Sequence, residues 1–252
     1  MAPGETGARK PKSEKTPLYR VIAFFVVPLM NLLARYDIQH SEHLPASGPA
    51  VVSPNHYSEI DPIVIGLAMW KRGRTPRFLA KASLFKVPVV GWILRKTGQI
   101  PVERRQRNTS DPLAAANKLT ENGLAVVIYP EGTLTRDPDL WPMRGKHGAV
   151  RMALEHDVPL IPVAHWGTQA VLPRYGKRIS FFPRKDISIR FGAPVDLTPF
   201  KGRPLDHATL NAATDKLMDA IAALLSELRG EPAPAERWDP SKAGQSETGR
   251  FD

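Results

Sequence analysis

"AVVSPNHYSEIDPIVIGLAMW", residues Ala50 to Trp70, decides how the rest of the chain is read. It opens on a short apolar run, "AVVSP", closed by a proline, which has the length and composition of a strand. It ends on "IVIGLAMW", a helical pattern. Asp61-Pro62 between them reads as a helix start, with aspartate as N-cap and proline at the first helical position. A strand that turns directly into a helix is the opening half of a strand–helix–strand unit.

The same alternation continues outward. Strand-like runs are Ala50–Pro54, Arg77–Lys81, Ile100–Val102, Ala125–Pro130, Pro159–Trp166 and Asp186–Gly192. Helical patterns cover Pro62–Lys71, Val89–Lys96, Pro112–Asn122, Lys146–His156 and Leu205–Arg229. The expected class is α/β, with a mixed, partly parallel central sheet flanked by helices. In such sheets functional groups collect just beyond the carboxyl ends of strands.

Composition bounds the partners. The 252 residues suffice for one large domain and carry 42% hydrophobic residues, enough for a sizeable core. No cysteine is present, which excludes disulfides, thiolate metal sites and a cysteine nucleophile. A net charge of +10 points to an anionic partner: nucleic acid, an anionic membrane surface or a phosphorylated substrate. The cations are dispersed and no nucleic-acid docking motif occurs, so no nucleic acid is expected.

The ends differ from the middle. Residues 1–16 are polar and basic and read as a disordered tail, as do residues 230–252. Residues 17–36 contain the most apolar stretch, "LYRVIAFFVVPLMNLLARY", Leu18 to Tyr36. Arg20, Pro28 and Asn31 interrupt it, against a membrane crossing. Its basic leader has no small-residue cleavage site, which reads against a secretory signal. Pro28 is expected to kink or split a helix here. Two readings stay open: a buried core helix, or an N-terminal membrane-associating segment in one leaflet with Lys10, Lys12, Lys15 and Arg20 toward lipid phosphates. Residues 37–229 form the main domain.

Within "NHYSEID", His56 and Asp61 are five residues apart in the turn between strand and helix. A turn can fold the carboxylate onto the ring. A carboxylate accepting from one ring nitrogen fixes the tautomer, leaving the other nitrogen as a general base. An idle loop histidine and a plain helix cap would read the same locally. Three further stretches follow in order. "GQIPVERR" ends a short strand on Arg104 and Arg105, either a solvated exit or a guanidinium fork for phosphate. "YPEGTLTR" leaves a strand with Glu131, Gly132 and Thr133, either an ordinary glycine turn or a carboxylate ordering a site. "VPLIPVA", Val158 to Ala164, is by itself a buried strand.

In this order the four stretches resemble the glycerolipid acyltransferases of the PlsC type, the 1-acyl-glycerol-3-phosphate acyltransferases. That family carries N-H-x4-D, G-x-I-x-V-x-R, [FY]-P-E-G-T and V-P-[IVL]-x-P-V blocks. The resemblance implies His56 as general base and Asp61 as its orienting partner. It implies phosphate contacts at Arg104 and at Lys81, in "AKASLFKVPVVGWIL", and an acceptor site shaped by Glu131, Gly132 and Thr133. Val158–Val163 would line the acyl side. A membrane-associating helical segment often precedes the domain in this family.

One departure stands out. The common third block continues with arginine, and here Leu134 takes that place; Arg136, two residues on, is the candidate to replace it, and Lys146 is a further cation. The implied reaction moves a fatty acyl group from an acyl thioester, on coenzyme A or acyl carrier protein, to the free hydroxyl of lysophosphatidic acid. Another lysophospholipid or glycerol 3-phosphate is the alternative acceptor. The implied place is the cytoplasmic face of the cell membrane, peripheral or monotopic. No serine elbow of the G-x-S-x-G kind is present, Ser53 and Ser58 notwithstanding, so direct transfer is expected. No cofactor and no metal are expected: His40 and His43 have no convincing further ligands. The competing classes are a metal-dependent phosphatase using His56, Asp61, Asp137 and Asp139, and a non-enzymatic basic membrane-binding protein.

Overall fold

The computed structural model describes residues 14–102 and 122–246. Its seven described strands form one sheet: β1 (Ala34–Gln39), β2 (Ala50–Pro54), β3 (Arg77–Lys81), β4 (Ile100–Val102), β5 (Ala125–Val127), β6 (Leu160–Trp166) and β7 (Lys185–Phe191). The order is β1-β7-β6-β2-β5-β3-β4. Every neighbouring pair is parallel except β6 with β7, which is antiparallel. The expected mixed, mostly parallel sheet is what the chain forms. The helical pattern at Pro112–Asn122 lies, up to its last residue, outside the described residues.

Alternation along the central strands divides the core in two. Val51, Val126 and Leu160 point to one face, where they meet α4 (Gly148–Glu155) and α6 (His207–Arg229). Ala50, Val52, Val127 and Ile161 point to the other, against α1 (Pro17–Leu33) and α2 (Asp61–Lys71). Period two in the strands thus serves two helix layers. In α6, Leu210, Ala213, Leu217, Ile221 and Leu225 recur at three- and four-residue spacing and are buried. Asp206 caps its start by accepting from the Thr209 amide, and Gly230, in the left-handed region, ends it. Truncating a buried leucine here to alanine costs about 2–5 kcal/mol.

Two expectations about the N-terminal segment change. The helix α1 is not split at Pro28 but continues through it as one element. Pro28 lies on the exposed side, so the carbonyl of Phe24 that loses its donor faces outward. The segment then ends at Leu33, and "ARYDIQ" becomes β1, an edge strand paired with β7. Its Tyr36 and Ile38 pack on the core, while Arg35 and Asp37 are exposed. Thr16 caps α1 by accepting from the Tyr19 amide. The buried Tyr19 hydroxyl donates toward the Pro76 carbonyl (2.7 Å) and accepts from Arg77 and Gln99 at 3.0 Å each. Burial raises its pKa. Among the described residues no helix is long and apolar enough to cross a membrane.

Residues 230–246, expected within a tail, lie against the domain. The Trp238 carbonyl accepts from the Arg144 amide (2.9 Å), and Ala233 packs beside Trp141 and Leu225. The helices α3 (Pro88–Lys96) and α5 (Thr168–Val171) complete the described α-helices.

Candidate active site

Proline ends the central strand β2 at Pro54, and the chain turns through Asn55–Ile60 into α2. Asp61 does not cap this helix, as its sequence position suggested. It occupies the first helical position and its carboxylate turns back into the preceding loop. One oxygen, Oδ2, accepts from the amides of Tyr57 and Ser58 at 2.8 Å each and from His56 Nδ1 at 3.0 Å. The other, Oδ1, accepts from the Thr168 hydroxyl at 2.6 Å. Asp61 is fully buried. Burial alone would raise its pKa, but the neighbouring imidazoles of His165 and His56 and the Thr168 hydroxyl outweigh it, so the carboxyl sits below its ordinary range.

With Nδ1 facing a carboxylate, His56 carries its proton there, and Nε2 is left as the acceptor. The ring stacks on Tyr129, centroids 4.1 Å apart, and lines a cavity of about 620 Å³. That cavity is walled mainly by apolar side chains. Ile22, Ala23, Val26 and Val27 come from α1, Ile63 and Leu67 from α2, and Phe78 and Leu79 from β3.

Glu131 holds the turn from the β5 side. Its Oε1 accepts from the His56 amide and its Oε2 from the Met143 amide, both at 3.0 Å. The Thr135 amide donates back to the His56 carbonyl at 2.6 Å. Burial pushes the Glu131 carboxyl up to about 8, against the pull of those two amides. Gly132 has a φ of +71° and lines the cavity; a β-carbon there would lie 3.2 Å from the Lys146 stem.

The predicted residues therefore separate. His56, Asp61, Glu131 and Gly132 converge at the carboxyl ends of β2 and β5, and Lys81, at the end of β3, lines the same cavity. Thr133 and Arg136 are buried in the loop after β5, and neither lines the cavity. Leu134 is also buried. Arg104 lies outside the described residues. Val158–Val163 do not line the cavity: Leu160–Val163 belong to the centre of the sheet, buried between both helix layers. Ser58 donates its hydroxyl to the Leu172 carbonyl (2.7 Å), away from His56, and Ser53 is fully buried. Asp137 accepts from the amides of Asp139 and Trp141, ordering its own turn. Among the described residues no three His, Cys, Asp or Glu groups are placed to hold a metal.

Sequence reasoning missed the floor of the site. His165 in β6 is fully buried beneath Asp61, its Nε2 donating to the Asn55 carbonyl (3.0 Å) and lying 3.6 Å from Asp61 Oδ2. Burial holds its pKa below the ordinary imidazole value, against the pull of the Asp61 carboxylate. The Asn55 side chain clasps the same residue, accepting from the His165 amide (2.9 Å) and donating to its carbonyl (3.1 Å). Tyr57 donates to that carbonyl at 2.7 Å. The one sequence signal for this floor was polar Asn55 beside His56 at a strand end.

The sequence pattern of the family described as Acyltransferase matches residues 35–166. A 1-acyl-sn-glycerol-3-phosphate acyltransferase of Bacillus subtilis is 28% identical over 84% of this chain and 98% of its own length. A chloroplastic protein of the same name from Brassica napus is 35% identical over 54% of this chain and 39% of its own, and one from Arabidopsis thaliana 30% over 62% and 44%. The chain thus spans less than half the length of these two plant relatives. The crystal structure of the LPA acyltransferase PlsC from Thermotoga maritima has the same fold, with a TM-score of 0.62 and 24% identity, over 90% of this chain and 83% of that one.

Proposed function

The chain belongs to the acyltransferase family, and from that premise we propose that it moves a fatty acyl group from an acyl thioester to the free hydroxyl of lysophosphatidic acid, giving phosphatidic acid. The observation that carries this reading is the His56–Asp61 pair, 3.0 Å apart, opening onto an apolar cavity. A paired imidazole is the base a hydroxyl needs, and an apolar cavity is what a fatty chain needs. The donor is acyl-CoA or acyl carrier protein, and no cofactor takes part.

The acceptor hydroxyl meets His56 Nε2. As its oxygen attacks the thioester carbonyl, its proton passes to Nε2, and Asp61 stabilises the imidazolium through Nδ1–H. Backbone N–H groups of the surrounding turns meet the oxyanion. The C–S bond then breaks, and the departing thiolate takes the proton from Nε2. The ester and the free thiol are the products, and the histidine is regenerated.

Lys81 and Arg104 grip the acceptor phosphate. Leu134 supports a division of labour: where the family's third block continues with arginine this chain has a buried apolar side chain, so phosphate binding rests on Lys81 and Arg104. The protein works as a peripheral or monotopic enzyme on the cytoplasmic leaflet, with α1 against an anionic membrane surface. Exposed Val21, Phe24, Phe25, Leu29 and Leu32 on that helix support this.

The test is thiol release from an acyl-CoA on adding lysophosphatidic acid, with and without EDTA. Release that survives EDTA and disappears in His56→Ala is expected. No thiol release, with EDTA-sensitive release of inorganic phosphate from the lysophosphatidic acid in its place, would favour the metal-dependent phosphatase reading. In the same assay Lys81→Ala and Arg104→Ala should each raise KM for the acceptor by about tenfold or more and leave KM for the thioester near its original value. Equal effects on both substrates would assign these cations a structural role.

A further inference from the structure

The segment "KRISFFPRK", Lys177 to Lys185, carries four cations and no acid. Its apolar residues are turned out: Ile179 is 43% exposed, Phe181 50% and Phe182 77%. None of these belongs to the site described above, and none packs in a core cluster. Large exposed rings between cations are the composition of an interfacial element, with rings for the acyl boundary and cations for the headgroups.

Sheet topology decides where this loop points. The strands β2, β5, β3 and β6 run parallel and end at the catalytic side, at His56, Glu131, Lys81 and Trp166. The strand β7 is antiparallel to β6, and β1 is parallel to β7 with Ala34 opposite Lys185. The amino ends of β1 and β7 therefore lie at the catalytic end. The helix α1 enters the sheet there, and so does the loop 177–184. Arg184 fastens the two by donating to the carbonyls of Asn31 (2.6 Å) and Ala34 (3.1 Å), at the carboxyl end of α1. A third apolar stretch, with Leu84, Val87, Val89 and Trp92 exposed, leaves β3 at the same end.

We infer that the loop Lys177–Lys185 is a membrane-docking loop for anionic bilayers, seated beside the carboxyl end of α1 at the catalytic end of the sheet. The inference rests on the reading of the enzyme as one that works at a lipid surface. Charge complementarity selects the occupant. Lys177, Arg178 and Arg184 are exposed on a loop without a carboxylate, and the next acid, Asp186, is held by Arg35 at 2.6 Å. An anionic leaflet satisfies rings and cations together. With the loop seated, the cavity mouth is held against the layer that contains acceptor and product.

The chain lacks cysteine, so Phe182→Cys provides a unique attachment point for an environment-sensitive fluorophore on the full chain. Vesicles of phosphatidylglycerol and phosphatidylcholine should shift its emission to the blue, and vesicles of phosphatidylcholine alone should do so far less. No shift while the protein sediments with the vesicles overturns the inference. Phe181→Ser with Phe182→Ser should weaken partitioning on the order of tenfold on the mixed vesicles. Lys177→Gln with Arg178→Gln should weaken it roughly fivefold per cation on anionic vesicles only. Partitioning like that of the original chain in both double variants overturns it as well. These measurements need no turnover. A failure of thiol release with intact vesicle binding counts against the proposed reaction, and the reverse against the loop.

Discussion

The turn Asn55–Asp61 and the apolar rim of α1, residues 82–96 and residues 177–184 lie at one end of the same sheet, built by opposite rules. In the turn, a buried carboxylate receives four donors and each flanking loop is hydrogen-bonded to the next. On the rim, large apolar side chains face outward. Catalysis and lipid contact make different geometric demands. Proton transfer tolerates little displacement of His56, so its turn is fixed by directional bonds to a fully buried carboxylate. Contact with a fatty chain or a bilayer is non-directional and scales with area, so loosely specified apolar surface suffices.

The largest expected effect lies on the turn. His56→Ala should lower turnover by about 10²–10⁴-fold with little change in melting temperature, because the ring stacks at the cavity wall and does not fill the core. Steady-state kinetics beside a thermal melt checks both halves, and near-original turnover would remove the chemical meaning of the comparison.

Asp61 should couple the two properties. Asp61→Asn retains an acceptor oxygen but loses the charge that stabilises the imidazolium, and turnover should fall by about 10²-fold or more. Asp61→Ala leaves two buried amides and the Thr168 hydroxyl without their acceptor, and should also cost on the order of 3 kcal/mol of stability. A fully stable alanine variant would mean that the turn is held elsewhere.

Glu131 sharpens the comparison through pH. Its folded pKa, about 8, lies above the ordinary 4.5, so the folded state favours the protonated carboxyl. The resulting stability is fully present below pH 4.5 and is lost as pH rises through about 8. Chemical denaturation across that window should show a decline on the order of a few kcal/mol, and Glu131→Gln should flatten it. An unchanged slope in that variant would show the carboxylate to be ionised in its cage of amides.

The smallest expected effect on stability lies on the rim. Phe24→Ser with Phe25→Ser should alter folding stability by about 0.5 kcal/mol or less per site, since both rings are exposed. Partitioning onto anionic vesicles should nevertheless fall on the order of tenfold. A large drop in melting temperature would show that the rim is packed like the core and erase the contrast.

Much of the sheet was legible because buried parallel strands are short runs of apolar residues bounded by prolines and glycines; β2, β3 and β4 match their expected limits. The edge strand β1 was hidden, because Ala34–Gln39 follows an apolar helix without a break and its polar alternation resembles a helix exit. His56 and Asp61 were legible because their contact is local, five residues apart. The floor formed by Asn55 and His165 was not, because it joins residues 110 apart and depends on two parallel strands lying in register. Reading Val158–Val163 as an acyl-side wall failed for a related reason. Buried apolar residues suit a strand enclosed on both faces as well as a cavity, and only the strand order tells them apart.

The helix α1 has one face on the cavity, through Ile22, Ala23, Val26 and Val27, and another in the open, through Val21, Phe24, Phe25 and Leu29. Tyr19 pins it to the residues around β3 and β4, and Arg184 pins its far end to the start of β7. Substitutions drifting through these seventeen positions therefore fall into two nearly independent inheritances: one set alters the bore of the cavity and the other alters what the exterior adheres to. A lineage could change the lipids it inhabits and the chains it accepts by separate routes within a single helix, provided that Tyr19 and the Arg184 contact keep the element in place.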